Sequence, residues 1–317
     1  MRQANKVLLI LLLLGAEYST FACSACGCSM SPGWESQGFT STSGFMIDLR
    51  EDYINQSELR NGTHLVNDSD KALPNDREIE QYTKQYYTTL SVDYKTETPF
   101  GFNIALPYVD RSHATVAPGD TELTYSHTKS IGDIRAVGRY QLDGMDSTWG
   151  VKFGLKLPTG SYTQTFSSGV GAGGVLDRGL QPGTGTTDVI LGLYQFAELN
   201  EYFDYFMQVG YKRALNMRDQ YKPGNQFNGD VGIRWISLNN VTPQFNINAK
   251  YDQRESGDQA VPTDSGGKIV YASPGVTADI SSHLKIYTFL QLPLYQNING
   301  FQLAPRWIGT VGLNYRF

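Results

Sequence analysis

Three cysteines within six residues form the most reactive cluster of the sequence. Cys23, Cys26 and Cys28 are the only cysteines of the 317-residue chain. Thiols at this spacing could bind one soft metal ion, copper or zinc, because sulfur ligands favour such ions. In an oxidising compartment two of them could instead form a disulfide, and Cys23 could carry a lipid.

The residues before this cluster have the three-part pattern of a secretory signal peptide. A basic start precedes an apolar run over residues 7–14, and small residues follow up to Ala22. The run is too short to span a bilayer stably. We predict a signal peptide over 1–22 and a cysteine-bearing segment over 23–42. This segment could plug a barrel from the periplasm or provide the metal or lipid site.

No other motif in the sequence indicates catalysis. The sequence contains no GxSxG, no Walker loop and no CxxCH motif. Its four histidines fall in predicted loops and one turn without paired ligand spacing, so we interpret them as solvated: His64, His113, His127 and His283. Barrel enzymes with a Ser/His/Asn-type site on the outer surface remain an alternative, but we predict that the protein is not an enzyme.

Composition narrows the class of protein further. Only 18% of residues are charged, 12% are aromatic and 33 are glycine, while the mean hydropathy is −0.34. Beyond the N-terminus no apolar run approaches the roughly 20 residues of a membrane-spanning helix, which excludes a helical membrane protein. A membrane β-barrel fits, because its apolar residues are spread one in two along each strand. The net charge of −5 makes nucleic acid an unexpected partner.

Alternating polarity indicates the β-strands that must position the polar residues. In residues 149–157, Trp149, Val151 and Phe153 alternate with glycine and lysine. A period of two is the strand signal, whereas a helix would space these residues three or four apart. We predict twelve such spans: 43–53, 81–94, 100–109, 131–142, 149–157, 187–197, 203–211, 227–235, 241–251, 268–280, 284–294 and 307–317.

The connections between the predicted spans alternate between short and long, as in an up-and-down barrel. We therefore predict an all-β fold: over residues 43–317, a single up-and-down transmembrane antiparallel β-barrel of about 12 strands, with a short N-terminal periplasmic segment. A secreted β-sandwich or binding module is the alternative. An even strand number places both termini on the periplasmic side of a Gram-negative outer membrane. A last strand ending in Phe317 resembles the signal read by the barrel-assembly machinery, an expected partner during biogenesis.

The faces opposite the apolar residues would line the interior of the barrel. Charges of both signs there predict salt-bridged walls around a narrow polar passage. The predicted lumen-lining residues are Arg50, Asp93, Asp133, Arg135, Arg139, Lys152, Lys156, Asp230, Arg234, Lys250, Tyr287 and Phe289. Inward rings could stack on an aromatic or apolar solute or could only fill space: Tyr87, Tyr194, Phe206, Tyr271, Tyr287 and Phe289.

Three segments resemble a known family. Residues 131–134 (IGDI), 154–160 (GLKLPTG) and 180–185 (LQPGTG), the last followed by Asp188, are similar to motifs of the outer-membrane barrels named for the meta-pathway of phenol degradation. The similarity covers roughly residues 131–193. It implies transport of small, often aromatic, molecules across the outer membrane and defines no catalytic residue. The cysteine cluster is not part of that family pattern.

The sequence therefore predicts an outer-membrane channel or transporter for the passive passage of small solutes, aromatic or hydrophobic ones among them. Its partners would be outer-membrane lipid and the solute, and it would need no cofactor unless copper or zinc binds the cysteines. The alternative is a non-conducting barrel scaffold whose N-terminal cysteine cluster binds a metal or a periplasmic partner.

Overall fold

The computed structural model describes residues 43–144 and 147–317. The predicted signal peptide and residues 23–42, with Cys23, Cys26 and Cys28, lie outside the described residues. Within the described ranges no helix is long and apolar enough to cross a bilayer, and three 3₁₀ helices cover Asp68–Lys71, Arg178–Leu180 and Pro262–Asp264. The strands are β1 Gly44–Gly62, β2 His64–Leu65, β3 Ile79–Lys95, β4 Phe100–Val116, β5 Leu123–Ile131, β6 Arg135–Asp143, β7 Ser147–Lys156, β8 Ser168–Gly169, β9 Asp188–Glu198, β10 Phe203–Ala214, β11 Gln226–Trp235, β12 Val241–Asp252, β13 Gly267–Asp279 and β14 Leu284–Arg316.

Antiparallel neighbours form a closed ring. In the described part of the chain, eleven strands make up this ring, because β1 pairs with β3 on one side and with β14 on the other. The 33-residue β14 turns at Gly300, which has a φ of +66°. Residues 285–298 of β14 pair with β13, and residues 302–316 pair with β1. Because β14 contributes two arms, the ring contains twelve antiparallel segments, which confirms the predicted barrel.

Apolar side chains face outward and polar side chains face inward, as the alternation predicted. On β11, Val231 and Ile233 are exposed on the outer face, whereas Asp230 is buried on the inner face. An ionised group facing hydrocarbon costs roughly 2–4 kcal/mol near the midplane of the bilayer, with carboxylates at the lower end. This cost explains why nearly all charged side chains near the midplane lie on the inner face.

Aromatic rings form two girdles on the outer face. The turn-side girdle, next to the short connections, contains Phe45, Tyr94, Phe100, Tyr140, Phe203, Trp235, Tyr315 and Phe317. The loop-side girdle contains Tyr53, Tyr86, Tyr211, Phe227, Tyr251 and Trp307. Eight residues of tilted strand separate Phe45 from Tyr53, roughly 20 Å of height. That distance matches the apolar band of an outer-membrane barrel.

Several strands extend further on the loop side than the sequence predicted. β1 continues beyond Tyr53, β4 beyond Val109, and β5 occupies part of a predicted loop. Beyond the bilayer the outer face no longer needs apolar residues, so the alternation fades while the backbone ladder continues. His113 consequently lies on β4 with no exposed surface, and its interpretation as a solvated loop histidine was wrong. The predicted loop over residues 295–305 was also wrong, since β14 turns there.

One strand of the wall is interrupted. β5 and β6 both pair with β4, and residues 132–134 separate them. At the interruption, the backbone amide of Gly132 donates to the carbonyl oxygen of Pro107 (2.8 Å) and that of Ile134 donates to the hydroxyl of Thr159 (2.9 Å). The break thus joins the wall to the connection that follows β7.

Candidate functional site: the barrel lumen

The structure places all twelve predicted lumen-lining residues on the inner face of the wall. Seven are buried: Asp93, Asp133, Arg139, Lys156, Asp230, Tyr287 and Phe289. Five are half-buried: Arg50, Arg135, Lys152, Arg234 and Lys250. Their contact with a solute stays a prediction.

Most of the inner-face cations form ion pairs with an aspartate. Arg139 donates two hydrogen bonds to the carboxylate of Asp93, at 2.5 and 2.8 Å. Lys250 and Asp252 lie 2.8 Å apart, and further pairs are Arg50–Asp52 and Arg234–Asp204. These pairs are the salt-bridged wall that the balanced charges predicted. Because Arg50, Arg139, Arg234 and Lys250 each lie beside an aspartate, the described part of the wall mixes charges of both signs.

A polar chain crosses the inner face between β7 and β13. Lys152 donates to the side-chain oxygen of Gln208 (3.0 Å), and Gln208 donates to Asp230 (2.7 Å). Asn248 donates to the other oxygen of Asp230 (2.6 Å), and Ser273 donates to Asn248 (2.5 Å). Sequence analysis singled out the two charged members only. The inward parity of the uncharged members would have identified them as well.

Four inward rings cover glycines of neighbouring strands: Tyr194 over Gly150, Phe206 over Gly232, Tyr287 over Gly312 and Phe289 over Gly275. A Cβ atom on any of these glycines would lie 2.0–2.3 Å from the ring above it. The rings are only 1–2% exposed. Their packing favours the space-filling interpretation over the solute-stacking one.

Phe196 is an inward ring that sequence analysis missed. It is half-buried, and its ring centre lies 6.0 Å from that of Tyr194 and 6.1 Å from that of Phe206. Its even number on β9 places it on the same face as Tyr194, a parity signal that would have identified it. Lys152 lies over the Tyr194 ring at 5.5 Å, so a cation stands beside this aromatic row.

The connection between β7 and β9, here called the mouth loop (residues 157–187), packs against the inside of the wall. Phe166, Leu176 and Leu180 form an apolar cluster within it. The Phe166 ring lies 6.4 Å from the ring of His113, which is buried on the inner face of β4. The mouth loop therefore occupies part of the loop-side opening of the barrel.

A buried node around Asp133 fixes both ends of the mouth loop. One carboxylate oxygen of Asp133 accepts from Lys156 Nζ (2.7 Å) and from the amide of Thr184 (3.0 Å). The other accepts from the amide of Gly160 (3.0 Å). Lys156 Nζ also lies 3.3 Å from Asp188. The three segments that carry the family resemblance thus meet at this node.

The glycines of these three segments allow their backbones to approach one another closely. A Cβ atom on Gly160 would lie 2.8 Å from the carbonyl carbon of Gly132 and 2.9 Å from the Cα atom of Gly183. These neighbours are backbone atoms, which cannot move aside as a side chain can. A side chain at Gly160 would separate the mouth loop from the interrupted strand.

Asp177 on the mouth loop lies in an acidic environment. Burial raises its pKa well above the usual range of an aspartate, and the negative charges of Glu78, Glu80 and Glu255 raise it further. Protonation of Asp177 is therefore linked to the seating of the mouth loop.

Among residues 43–144 and 147–317, no group of three or more His, Cys, Asp or Glu side chains is arranged to hold a metal ion.

We expect the conductance of the barrel to rise with pH. Below its raised pKa, Asp177 is neutral and its protonation favours the seated loop. Burial also raises the pKa of Glu80, so as the pH rises both groups become charged and repel each other and Glu78. Planar-bilayer recordings from acid to alkaline pH measure the effect. Asp177→Asn should weaken the response, and Asp219→Asn, at an exposed loop residue, should not. An unchanged response in Asp177→Asn would contradict the prediction.

Comparison with known proteins shows the fold. No protein-family model matches the chain, and no curated protein sequence matches it. An outer membrane channel from Pseudomonas putida F1 superimposes with a TM-score of 0.68 over 91% of this chain and 100% of that chain, at 12% identity. The fold is that of an outer-membrane β-barrel. The closed ring and this likeness exclude the β-sandwich alternative.

Two other solved structures show weaker likeness. The CymD monoaromatic hydrocarbon channel has a TM-score of 0.46 at 10% identity and covers 95% of this chain and 98% of its own. A mutant of the TodX monoaromatic hydrocarbon channel has a TM-score of 0.49 at 9% identity, over 87% of this chain and 91% of its own.

Proposed function

We propose that this protein is an outer-membrane channel through which small solutes diffuse passively. The observation that carries the proposal is an exposed polar residue inside the closed ring. Asn228 lies on the inner face of β11 and is exposed, while Lys152 and Gly192 on nearby strands are half-buried. An exposed side chain on the inner face requires water-accessible space inside the barrel, and polar groups line that space.

The solutes that we propose are small aromatic or hydrophobic molecules. Phe196 offers a half-buried ring, and Lys152 stands beside the same aromatic row. Ring stacking and a nearby cation would favour an aromatic solute over a sugar of similar size. The resemblance to the phenol meta-pathway barrels supports the same class.

We also propose that the protein resides in the outer membrane of a Gram-negative bacterium, with both termini periplasmic. The long connections would then face the outside, and the barrel-assembly machinery would insert the chain. Outer-membrane lipid would contact the apolar band between the girdles. The proposal requires no enzymatic step.

Conductance and flux measurements test the proposed function. The purified full chain should give discrete conductance steps in planar bilayers, and vesicles containing it should swell in phenols faster than in sugars. Phe196→Ala should reduce the preference for phenols several-fold, because it removes the half-buried ring. Phe245→Ala, an exposed outer-face residue, is the matched control.

A sealed barrel would overturn the channel proposal. Absence of conductance would favour the scaffold candidate, in which Cys23, Cys26 and Cys28 bind copper, zinc or a periplasmic partner. The observation that favours this second candidate is the apolar cluster of the mouth loop, which occupies part of the opening. Metal analysis of the purified full chain and of a variant lacking the three thiols would then test it.

A further inference from the structure

The outer face between the two girdles carries a single charged side chain in the described part of the chain, that of Glu51. It projects from β1 between Leu49 and Tyr53 and is exposed. Every other outward residue at this depth is apolar, glycine or an uncharged polar residue. A carboxylate facing hydrocarbon is unfavourable unless something neutralises it.

The chain gives Glu51 one hydrogen bond and no ion pair within residues 43–144 and 147–317. Thr88 on β3 donates its hydroxyl to Glu51 Oε2 at 3.2 Å. On the other side Glu51 is paired in register with Val311 on β14. The hydrogen bond satisfies part of the carboxylate but leaves its charge in place.

A recess in the outer wall opens beside this carboxylate. The Glu51 notch has a volume of about 590 Å³, and its lining includes Glu51, Tyr53, Val276, Thr288, Leu290 and Gly309. Gly309 has no side chain on the outer face between Trp307 and Val311, and the Trp307 ring partly covers it: a Cβ atom on Gly309 would lie 3.1 Å from Cζ3 of that ring. Thr288, which also lines the notch, donates its hydroxyl to the carbonyl oxygen of Thr310 (2.9 Å).

The depth of the notch fits a lipid headgroup. Glu51 lies one outward position from Tyr53 of the loop-side girdle, roughly 5 Å closer to the midplane. Tyrosine and tryptophan rings mark the level of the headgroups. The carboxylate can therefore meet a headgroup from below, while the apolar lining continues towards the midplane along Leu290 and Val276.

We propose that the Glu51 notch binds a lipid with an ammonium headgroup, with the ammonium on Glu51 and an acyl chain in the recess. The ammonium neutralises the carboxylate, and the chain covers the apolar lining of the recess, Val276 and Leu290 among it. A second copy of this chain fits less well. Its outer face between the girdles offers no cation in the described residues to pair with Glu51.

Native mass spectrometry of the detergent-solubilised full chain tests the proposal, with phosphatidylethanolamine and phosphatidylglycerol of identical acyl chains as probes. The wild type should retain one phosphatidylethanolamine in preference to phosphatidylglycerol by about fivefold, the scale of a partly exposed ion pair. Glu51→Gln should abolish the preference. Gly309→Leu should reduce retention of both lipids, because the leucine and the Trp307 ring that it displaces fill the recess.

Gly229→Leu is the matched control. Gly229 lies one outward position below Phe227 of the loop-side girdle, and a Cβ atom there would have no neighbour nearer than 3.9 Å. This variant should retain lipid as the wild type does, and heat-dependent gel migration should show that all variants are folded. Equal retention of both lipids by the wild type, an unchanged preference in Glu51→Gln, or a dimer that Glu51→Gln dissociates would overturn the proposal. Conductance should not change in these variants, which separates this test from that of the channel.

Discussion

Replacing Asp133 with alanine is expected to release the mouth loop and to raise the conductance of the barrel several-fold. The change removes the acceptor of Lys156 and of the amides of Gly160 and Thr184. Both ends of the loop lose their anchor together. Lys156 keeps Asp188 as an anionic partner, so the loss of stability should lie below the about 3–5 kcal/mol of a buried charge left unpaired. Single-channel recording and thermal unfolding in detergent measure the two effects.

Asp204→Ala provides the matched control for this prediction. Asp204 pairs with the half-buried Arg234 across β10 and β11, away from the mouth loop. Its loss should lower stability less and leave conductance close to that of the wild type. An Asp133→Ala protein whose conductance and protease resistance of the mouth loop both equal those of the wild type would refute the anchoring role.

An arginine at Val231 is expected to lower the free energy of unfolding from lipid vesicles by about 2–4 kcal/mol. Val231 is 49% exposed on the outer face, midway between Phe227 and Trp235 of the two girdles. A guanidinium there must face hydrocarbon or distort the bilayer. Equilibrium unfolding in urea, with the barrel folded into vesicles, measures the loss.

The same substitution three residues earlier is the control. Asn228 is exposed on the inner face, so an arginine there remains in water and should cost much less. Equal losses for Val231→Arg and Asn228→Arg would show that the outer face of β11 does not contact lipid tails, and the membrane-barrel assignment would fail with it.

The wall of this barrel was predictable from sequence because the bilayer constrains it residue by residue. Each crossing must present apolar side chains to lipid, so alternation marks every crossing. Beyond the girdles that constraint ends, and the extension of β4 past Val109 left no such pattern. The burial of His113 followed from that extension and could not be predicted.

The mouth loop was beyond prediction for a different reason. The parity of the strand placed Asp133 inside the barrel, but its partners come from segments far along the chain. Neither Gly160 nor Thr184 carries a pattern that indicates a carboxylate acceptor. The family resemblance rests on these same segments, but it did not predict that they contact one another. The parity of Tyr287 predicted that its ring points into the barrel. It did not predict that the ring packs over Gly312, since the two residues belong to different arms of β14.

The seam between the first and last strands has a consequence for biogenesis. Met46 pairs with Arg316 and Arg60 pairs with Gln302, so closure joins residues that are almost the full length of the chain apart. Contacts of such high sequence separation form slowly. Until the final arm of β14 is made, β1 has an open hydrogen-bonding edge of the kind that templates aggregation. We therefore expect the unclosed chain to aggregate in water unless a chaperone covers this edge until β14 pairs with β1.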